Sequence, residues 1–293
     1  MPGGGAVRAI RQRIKSVQNT AKVTKAMELV ASSKMRRAQQ RAFGARPYAS
    51  QMRGVLAQLA GYAAGADDAH PLLATRPVKH FAFIHITADR GLAGGLNANM
   101  NRAGANLALE HQPHVERVSV IPVGRKGRDF FRRSGFPRLA EFTALGDYPG
   151  FEAVRPIARL VIDDYSRGEI DRVYIGYQQF VNTAVQRPTL RQLLPVAAPE
   201  GSEAGSTDFI FEPSPVELLN TLLPRYVEMQ IFEALLEASA SEQSARMVAM
   251  RAATDAANAM VQDLTLTYNK ARQEMITGEL LDIVGGKAAL EQG

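Results

Sequence analysis

The residues with the strongest claim to chemistry form the run Asp89-Arg90-Gly91-Leu92-Ala93-Gly94-Gly95, set between an apolar stretch and a helix-forming one. Glycines at a strand-to-helix turn let backbone amides approach a phosphate, and the N-terminal end of the helix adds a favourable field. The run nevertheless lacks the Lys-Ser/Thr pair that closes an ATP-phosphate loop, and its glycine spacing is not GxGxxG. A tight turn without a ligand is expected. Glu110, His111 and His114 carry atoms suited to zinc, but Pro113 interrupts the helix that would align them, so a solvated loop is expected there. With no cysteine in the chain, disulfides, thiol nucleophiles and thiolate metal sites are excluded. No Ser/His/Asp set and no paired carboxylates stand out by spacing. The expectation is therefore no catalytic centre, no cofactor and no metal.

A second kind of chemistry is electrostatic. Residues 1–60 carry twelve Lys/Arg against the single acid Glu28, whereas residues 214–293 carry six basic and eleven acidic side chains. Such a basic arm could bind a polyphosphate backbone. Its charges surround the helix, however, and aromatics for stacking bases are nearly absent, which favours a solvated face. One basic end and one acidic end also suit pairing with each other.

The elements that would present these charges follow from periodicity. From Ala6 to about Ala60 the residues are strong helix formers, with Gly44 and Pro47 the only notable breakers. Ile10, Ile14, Val17, Ala21, Thr24, Ala31, Met35, Ala38 and Ala42 recur at steps of three and four, with Glu28 in the one skipped position. This is a coiled-coil seam, and its alanines admit a close partner. A second helix is expected from about Ser214 to Ile283, ~100 Å long at 1.5 Å per residue. Ala245, Ala249, Ala252, Ala256 and Ala259 repeat the step, with Met247, Met250, Met260 and Leu264 thickening the apolar face. Pro224 is expected to kink this helix or to force a restart capped near Thr221 or Asn220.

Between the arms, Phe81–Thr87, Val118–Val123 and Arg172–Tyr177 read as strands, and 97–110, 126–133 and 151–166 as helices. Residues 197–207 are loop-like. The expected fold class is α/β, a long antiparallel coiled coil of the terminal helices plus a central Rossmann-like domain with a largely parallel sheet. The expected divisions are 1–60, 75–213 and 214–293. No run approaches the ~20 apolar residues of a membrane span, and the opening residues lack a secretory stretch, so a soluble chain is expected.

Three segments carry a family resemblance. VQNTAKVTKAMELVASSKMRRAQ (Val17 to Gln39) with RPYA (Arg46 to Ala49) resembles the amino-terminal helix of the gamma subunits of F-type ATP synthases. ASEQSARMVAMRAATDAA (Ala240 to Ala257) and LTLTYNKARQEMITGELLDIVGG (Leu264 to Gly286) resemble their carboxy-terminal helix, and TADRGLAGGLN (Thr87 to Asn97) their middle-domain signature. The likeness spans essentially the whole chain. Ala93 stands where many relatives carry cysteine, Pro224 interrupts a usually continuous helix, and the cysteine insertion of chloroplast relatives is missing, so thiol control is not expected.

The resemblance implies a non-catalytic central-stalk shaft inside a ring of three alpha and three beta subunits. It would couple ion flow through the membrane-embedded c ring to ATP synthesis and hydrolysis, with epsilon beside it. The chain would lie on the cytoplasmic face of a bacterial cell membrane, held there by partners, and would bind no nucleic acid. The family motifs point to Met27, Arg246, Arg272 and Gln273 as contacts with beta. Phe209, Phe211 and Glu212 in TDFIFEP would rest on the c ring. From alternation alone, that last segment could equally be an edge strand, and Met27 could be a core side chain. Two other classes remain as alternatives, a nucleotide-binding enzyme built on the middle domain and a basic coiled-coil nucleic-acid protein. The first lacks a phosphate-binding lysine, and the second does not explain the acidic arm.

Overall fold

The computed structural model describes residues 3–63, 70–197 and 214–291. In chain order its elements are α1 (Gly3–Ala63), β1 (His80–Ile86), α2 (Leu96–His111), β2 (Arg117–Val123), α3 (Arg125–Arg133), α4 (Arg155–Ser166), β3 (Arg172–Phe180), β4 (Gln186–Leu194) and α5 (Pro215–Glu291). Two compact units result: Met1–Val30 with Met247–Gly293, and Ala31–Arg246.

The larger unit is built on a sheet of order β2-β1-β3-β4, in which the first three strands are parallel and β4 is antiparallel. Every residue of β1 and β2 after the first is buried. Helices cover both faces of such a sheet, which is why these strands read as continuous apolar runs. The sequence expectation missed β4. Its run QRPTLRQLL contains Pro188 and two arginines and is mostly half-buried, as suits an edge strand. One side of the sheet joins Ile84, Ile121 and Ile175 to Tyr165 of α4 and to Leu223, Val227 and Ile231 of α5. The other gathers Phe81, Phe83, Val120 and Phe131. On that second side His85 is fully buried against glycines of two helices: a Cβ added at Gly104 of α2 or at Gly127 of α3 would lie 2.7 Å from its ring. In this unit α1 buries Ala31, Met35, Ala38 and Ala42, the expected positions.

The helix α5 passes through Pro224 without a break, so the expected restart is corrected. The N-cap is Ser214, whose Oγ accepts the Glu217 amide at 3.3 Å, with Pro215 in the first helical turn where its missing N–H costs nothing. Pro224 leaves the Asn220 carbonyl without its helical donor, and Asn220 is exposed, so water can replace it.

In the smaller unit the two helices run antiparallel. Thr24 Oγ1 lies 2.7 Å from Thr254 Oγ1, and one turn further along α1 Glu28 Oε1 accepts from Arg251 Nε at 3.0 Å. On α1, Ile10, Ile14, Val17, Ala21, Thr24 and Glu28 are turned from solvent, as expected, and Val7 and Met27 are half-buried beside them. On α5 the face differs from the one expected. Met247, Met250, Thr254, Ala257, Val261, Leu264, Tyr268, Ala271 and Met275 form its seam, whereas Ala252, Ala256, Ala259 and Met260, all expected on the apolar face, are exposed. Larger side chains remove more apolar area from water, so the seam's methionines, leucine and tyrosine set the buried stripe and the alanines beside it face out.

Candidate functional site

Ligands of open α/β sheets gather outside the carboxyl ends of the parallel strands, and here those ends surround a cavity of about 260 Å³. Thr87 and Asp89 after β1, Gly124 after β2, Gln178 of β3, Asn97 of α2, and Ser239 and Glu242 of α5 are among its walls. The Gly-rich run is the turn from β1 into α2, and Leu92 and Gly94 in it adopt positive φ of 62° and 56°.

The chemistry of this corner is directed inward. Arg125 N–H donates to Asp89 Oδ1 (2.9 Å), Lys126 N–H to the Ala88 carbonyl (3.1 Å), Gly127 N–H to Thr87 Oγ1 (2.8 Å) and Arg128 N–H to the Gly124 carbonyl (3.1 Å). The bond of Arg128 is the first of the helix itself; the amides that a helix start leaves open for an anion are those of Gly124, Arg125, Lys126 and Gly127, and all are taken in α3, that of Gly124 by the Phe142 carbonyl at 2.7 Å. Asp89 Oδ2 accepts a further bond from Ala144 N–H at 2.9 Å. Asn97 Oδ1 folds back to accept from Ala88 N–H at 3.1 Å. Thr87 and Asp89 thus cap a helix some forty residues away. A cation does approach the run: a Cβ at Gly91 would lie 3.9 Å from the Lys126 side chain. It stands outside any phosphate-loop spacing.

On the α5 side, Arg246 Nη2 donates to Glu242 Oε1 at 2.6 Å and to the Gly91 carbonyl at 3.3 Å. Burial raises the Glu242 carboxyl above its usual range, against the pull of Arg246. Lys34 Nζ donates to Asp147 Oδ2 at 2.6 Å, and this bond is the main reason that carboxyl is lowered. Each acid therefore has a cation or amide of its own.

Of the expected contacts with beta, Met27 is half-buried on α1, and Arg272 and Gln273 are exposed on α5. Arg246 is only 8% exposed, because Glu242 and Gly91 hold it. Phe209, Phe211 and Glu212 lie outside the described residues. Of the residues expected in a solvated loop, Glu110 and His114 are exposed, but His111 is corrected: it ends α2, its ring stacks on Phe81 with centroids 4.0 Å apart, and it bonds the Leu107 carbonyl. Among the described residues no three His, Asp or Glu side chains are grouped to hold a metal.

The family model described as ATP synthase matches residues 6–290. The ATP synthase gamma chain of Dehalococcoides mccartyi (strain 195) is 53% identical over 284 residues, covering 97% of this chain and 99% of that one. This chain belongs to the ATP synthase gamma chain family. A gamma chain from Desulfitobacterium hafniense is 49% identical over 286 residues, with 98% and 99% covered. Among solved structures, the central stalk and c ring of the Tetrahymena thermophila mitochondrial ATP synthase contains a chain matched at TM-score 0.59 and 26% identity, with 79% of this chain and 99% of that chain covered. The fold is also that of a chain in the Euglena gracilis mitochondrial ATP synthase rotor, at TM-score 0.68 and 20% identity over 93% of this chain and 99% of that one. In this gamma-family chain the Gly-rich signature therefore works as a structural corner that joins β1, α3 and α5.

Proposed function

We propose that the chain is the non-catalytic rotor shaft of an ATP synthase, turning within a ring of alpha and beta subunits and coupling that ring to the membrane c ring, with epsilon as a neighbour. One observation carries the reading. Leu266, Ile276, Leu280, Leu281, Ile283 and Val284 are large apolar side chains of α5 that stand exposed. A chain working alone does not present so much apolar surface to water, and a protein sleeve around the end of the helix would cover it. A single pair of helices has no threefold symmetry, so each beta subunit would meet a different face. A contact shifts a conformational equilibrium only by its differential energy between states, so turning the shaft would move that bias from site to site. Among the described residues no helix is long and apolar enough to cross a membrane. Attachment at the cytoplasmic face would therefore run through partners, with Phe209, Phe211 and Glu212 as the proposed contact on the c ring.

Met27, Arg246, Arg272 and Gln273 are the proposed contacts with beta. Arg246 can reach a partner only by leaving Glu242 and Gly91, so its removal also changes this chain, and Arg272 gives the cleaner test. A contact made and broken in every turn should contribute modestly, about 1 kcal/mol for an exposed charge. With 1.36 kcal/mol per factor of ten, Arg272→Ala should slow ATP turnover of the assembled complex by up to ~fivefold. Gln273→Ala should act in the same direction more weakly, because a neutral amide bonds less strongly. Unchanged turnover in Arg272→Ala at normal assembly yield would return this side chain to solvent.

The inward caps of α3 give a second expectation. Calorimetry of the isolated chain with ATP and magnesium should give no heat of binding, since the amides that open α3 are bonded within the chain and the Gly-rich run carries no lysine at phosphate-loop spacing. A micromolar site lost on changing Gly94 and Gly95 would instead support a nucleotide-binding role.

A further inference from the structure

A seam of apolar side chains packs closely but specifies its register weakly. A displacement by one turn, about 5.4 Å, sets one apolar side chain against another again. In the smaller unit the apolar stretch runs through Ile10, Ile14, Val17 and Ala21 of α1 and Ala257, Val261 and Leu264 of α5. Next to Ala21 and Ala257 sit four polar side chains that bond across the seam. Glu28 is 4% exposed and takes bonds from Lys25 Nζ and Arg251 Nε, each at 3.0 Å, while Thr24 meets Thr254 at 2.7 Å. The bond from Lys25, with that from Arg251 behind it, holds the carboxyl below its usual range, so it is charged within the seam.

We propose that Thr24, Glu28, Arg251 and Thr254 form a register lock that fixes where α1 and α5 pair. The residues one turn from Arg251 are Met247 and Asp255, and those one turn from Thr254 are Met250 and Asn258. A slip in one direction sets the Glu28 carboxylate opposite a thioether, and in the other opposite a second carboxylate. The second slip would still offer Thr24 a polar partner in Asn258, so the charge of Glu28 carries the discrimination there. Either way the Glu28 carboxylate loses its partner across the seam and keeps only Lys25 of its own helix, which disfavours the slipped register. A single polar position that fixes register in an otherwise apolar seam is an attested device of coiled coils. On the rotor reading, on which this consequence rests, the lock sets the axial offset between Met27 on α1 and Arg272 with Gln273 on α5. A slipped shaft would present these contacts about one turn apart from their working positions.

The chain contains no cysteine, so introduced pairs report register without background. Ala21→Cys with Ala257→Cys has the same offset as the threonine pair. Val17→Cys with Ala257→Cys and Ala21→Cys with Val261→Cys report a slip of one turn in each direction. A disulfide needs Cα atoms within about 7 Å, so oxidation of the full chain should close only the first pair while the lock is intact. In Glu28→Gln with Thr254→Val, which keeps side-chain size, a slipped pair should close to a similar extent as the first. Arg251→Glu, which leaves the apolar seam untouched, should favour a slipped pair. Closure of the first pair alone in both backgrounds would overturn the lock. The cross-links answer for the lock in the chain itself. Protons pumped per ATP in the assembled complex answer for the rotor reading, and should fall in the backgrounds that slip.

Discussion

Gly124→Ala should cost the chain about 4 kcal/mol or more of stability, in the range that single substitutions reach only through a specific structural conflict. Gly124 has φ of +103°, and an added Cβ would lie 2.1 Å from the Thr87 carbonyl oxygen and 2.8 Å from its carbon. The positive φ alone costs an L residue about 1–3 kcal/mol. The clash is with backbone at the end of β1, which cannot swing aside as a side chain can. Relieving it would pull Thr87 and Asp89 from the amides of Gly127 and Arg125, and would strain the bond of 2.7 Å from Gly124 N–H to the Phe142 carbonyl. Urea unfolding of the purified chain measures the loss. A change below about 1 kcal/mol would mean that the corner is more plastic than its geometry implies.

Acid should weaken the fold through His85. Its ring is fully buried between α2 and α3, with Nε2 2.9 Å from Asn101 Oδ1 and Nδ1 without a partner. Burial lowers its pKa from 6.5 to about 4, against a smaller opposing effect of the Asn101 bond. The unfolded chain takes up the proton as pH falls through 6.5, whereas the native chain resists until about 4. Stability from this group is therefore complete above 6.5, declines as pH falls, and is lost near 4. At 1.36 kcal/mol per pKa unit the loss across that window is about 3 kcal/mol. His85→Gln can still offer an N–H donor to Asn101 but does not titrate, so its stability should fall less steeply over the same window. Equal slopes in parent and variant would assign the acid sensitivity to other groups.

The ease of reading the sequence differed between segments for physical reasons. The α1 seam was legible because Ile10, Ile14 and Val17 mark its face before the alanines begin, and Glu28 kept the step. On α5 alanines occur on several faces, at 245, 249, 252, 253, 256, 257 and 259, so their spacing carried no direction. The signal lay in Met247, Met250, Val261, Leu264 and Tyr268, which fall on one face of the helix at combined steps of three and four. The central strands announced themselves by unbroken apolar runs. Strand β4 did not, since Arg187, Pro188 and Arg191 look like a loop until a neighbouring strand pairs with them. At the candidate site the Gly-rich turn was visible, but its use was not. Thr87 and Asp89 bond residues about forty positions away, and Arg246 is buried by Gly91, 155 positions away. Spacing along the chain encodes neither contact.

The central claim is that this chain turns while the ring around it hydrolyses ATP. The direct measurement fixes the alpha and beta subunits of the assembled complex to a surface and attaches an optical probe through a cysteine introduced at exposed Ser134 on the α/β unit. With ATP present, the account predicts unidirectional rotation of the probe with a threefold pattern of pauses. A covalent cross-link between the chain and the ring should stop that rotation and the ATP turnover with it. Sustained ATP hydrolysis with a stationary probe would contradict the account.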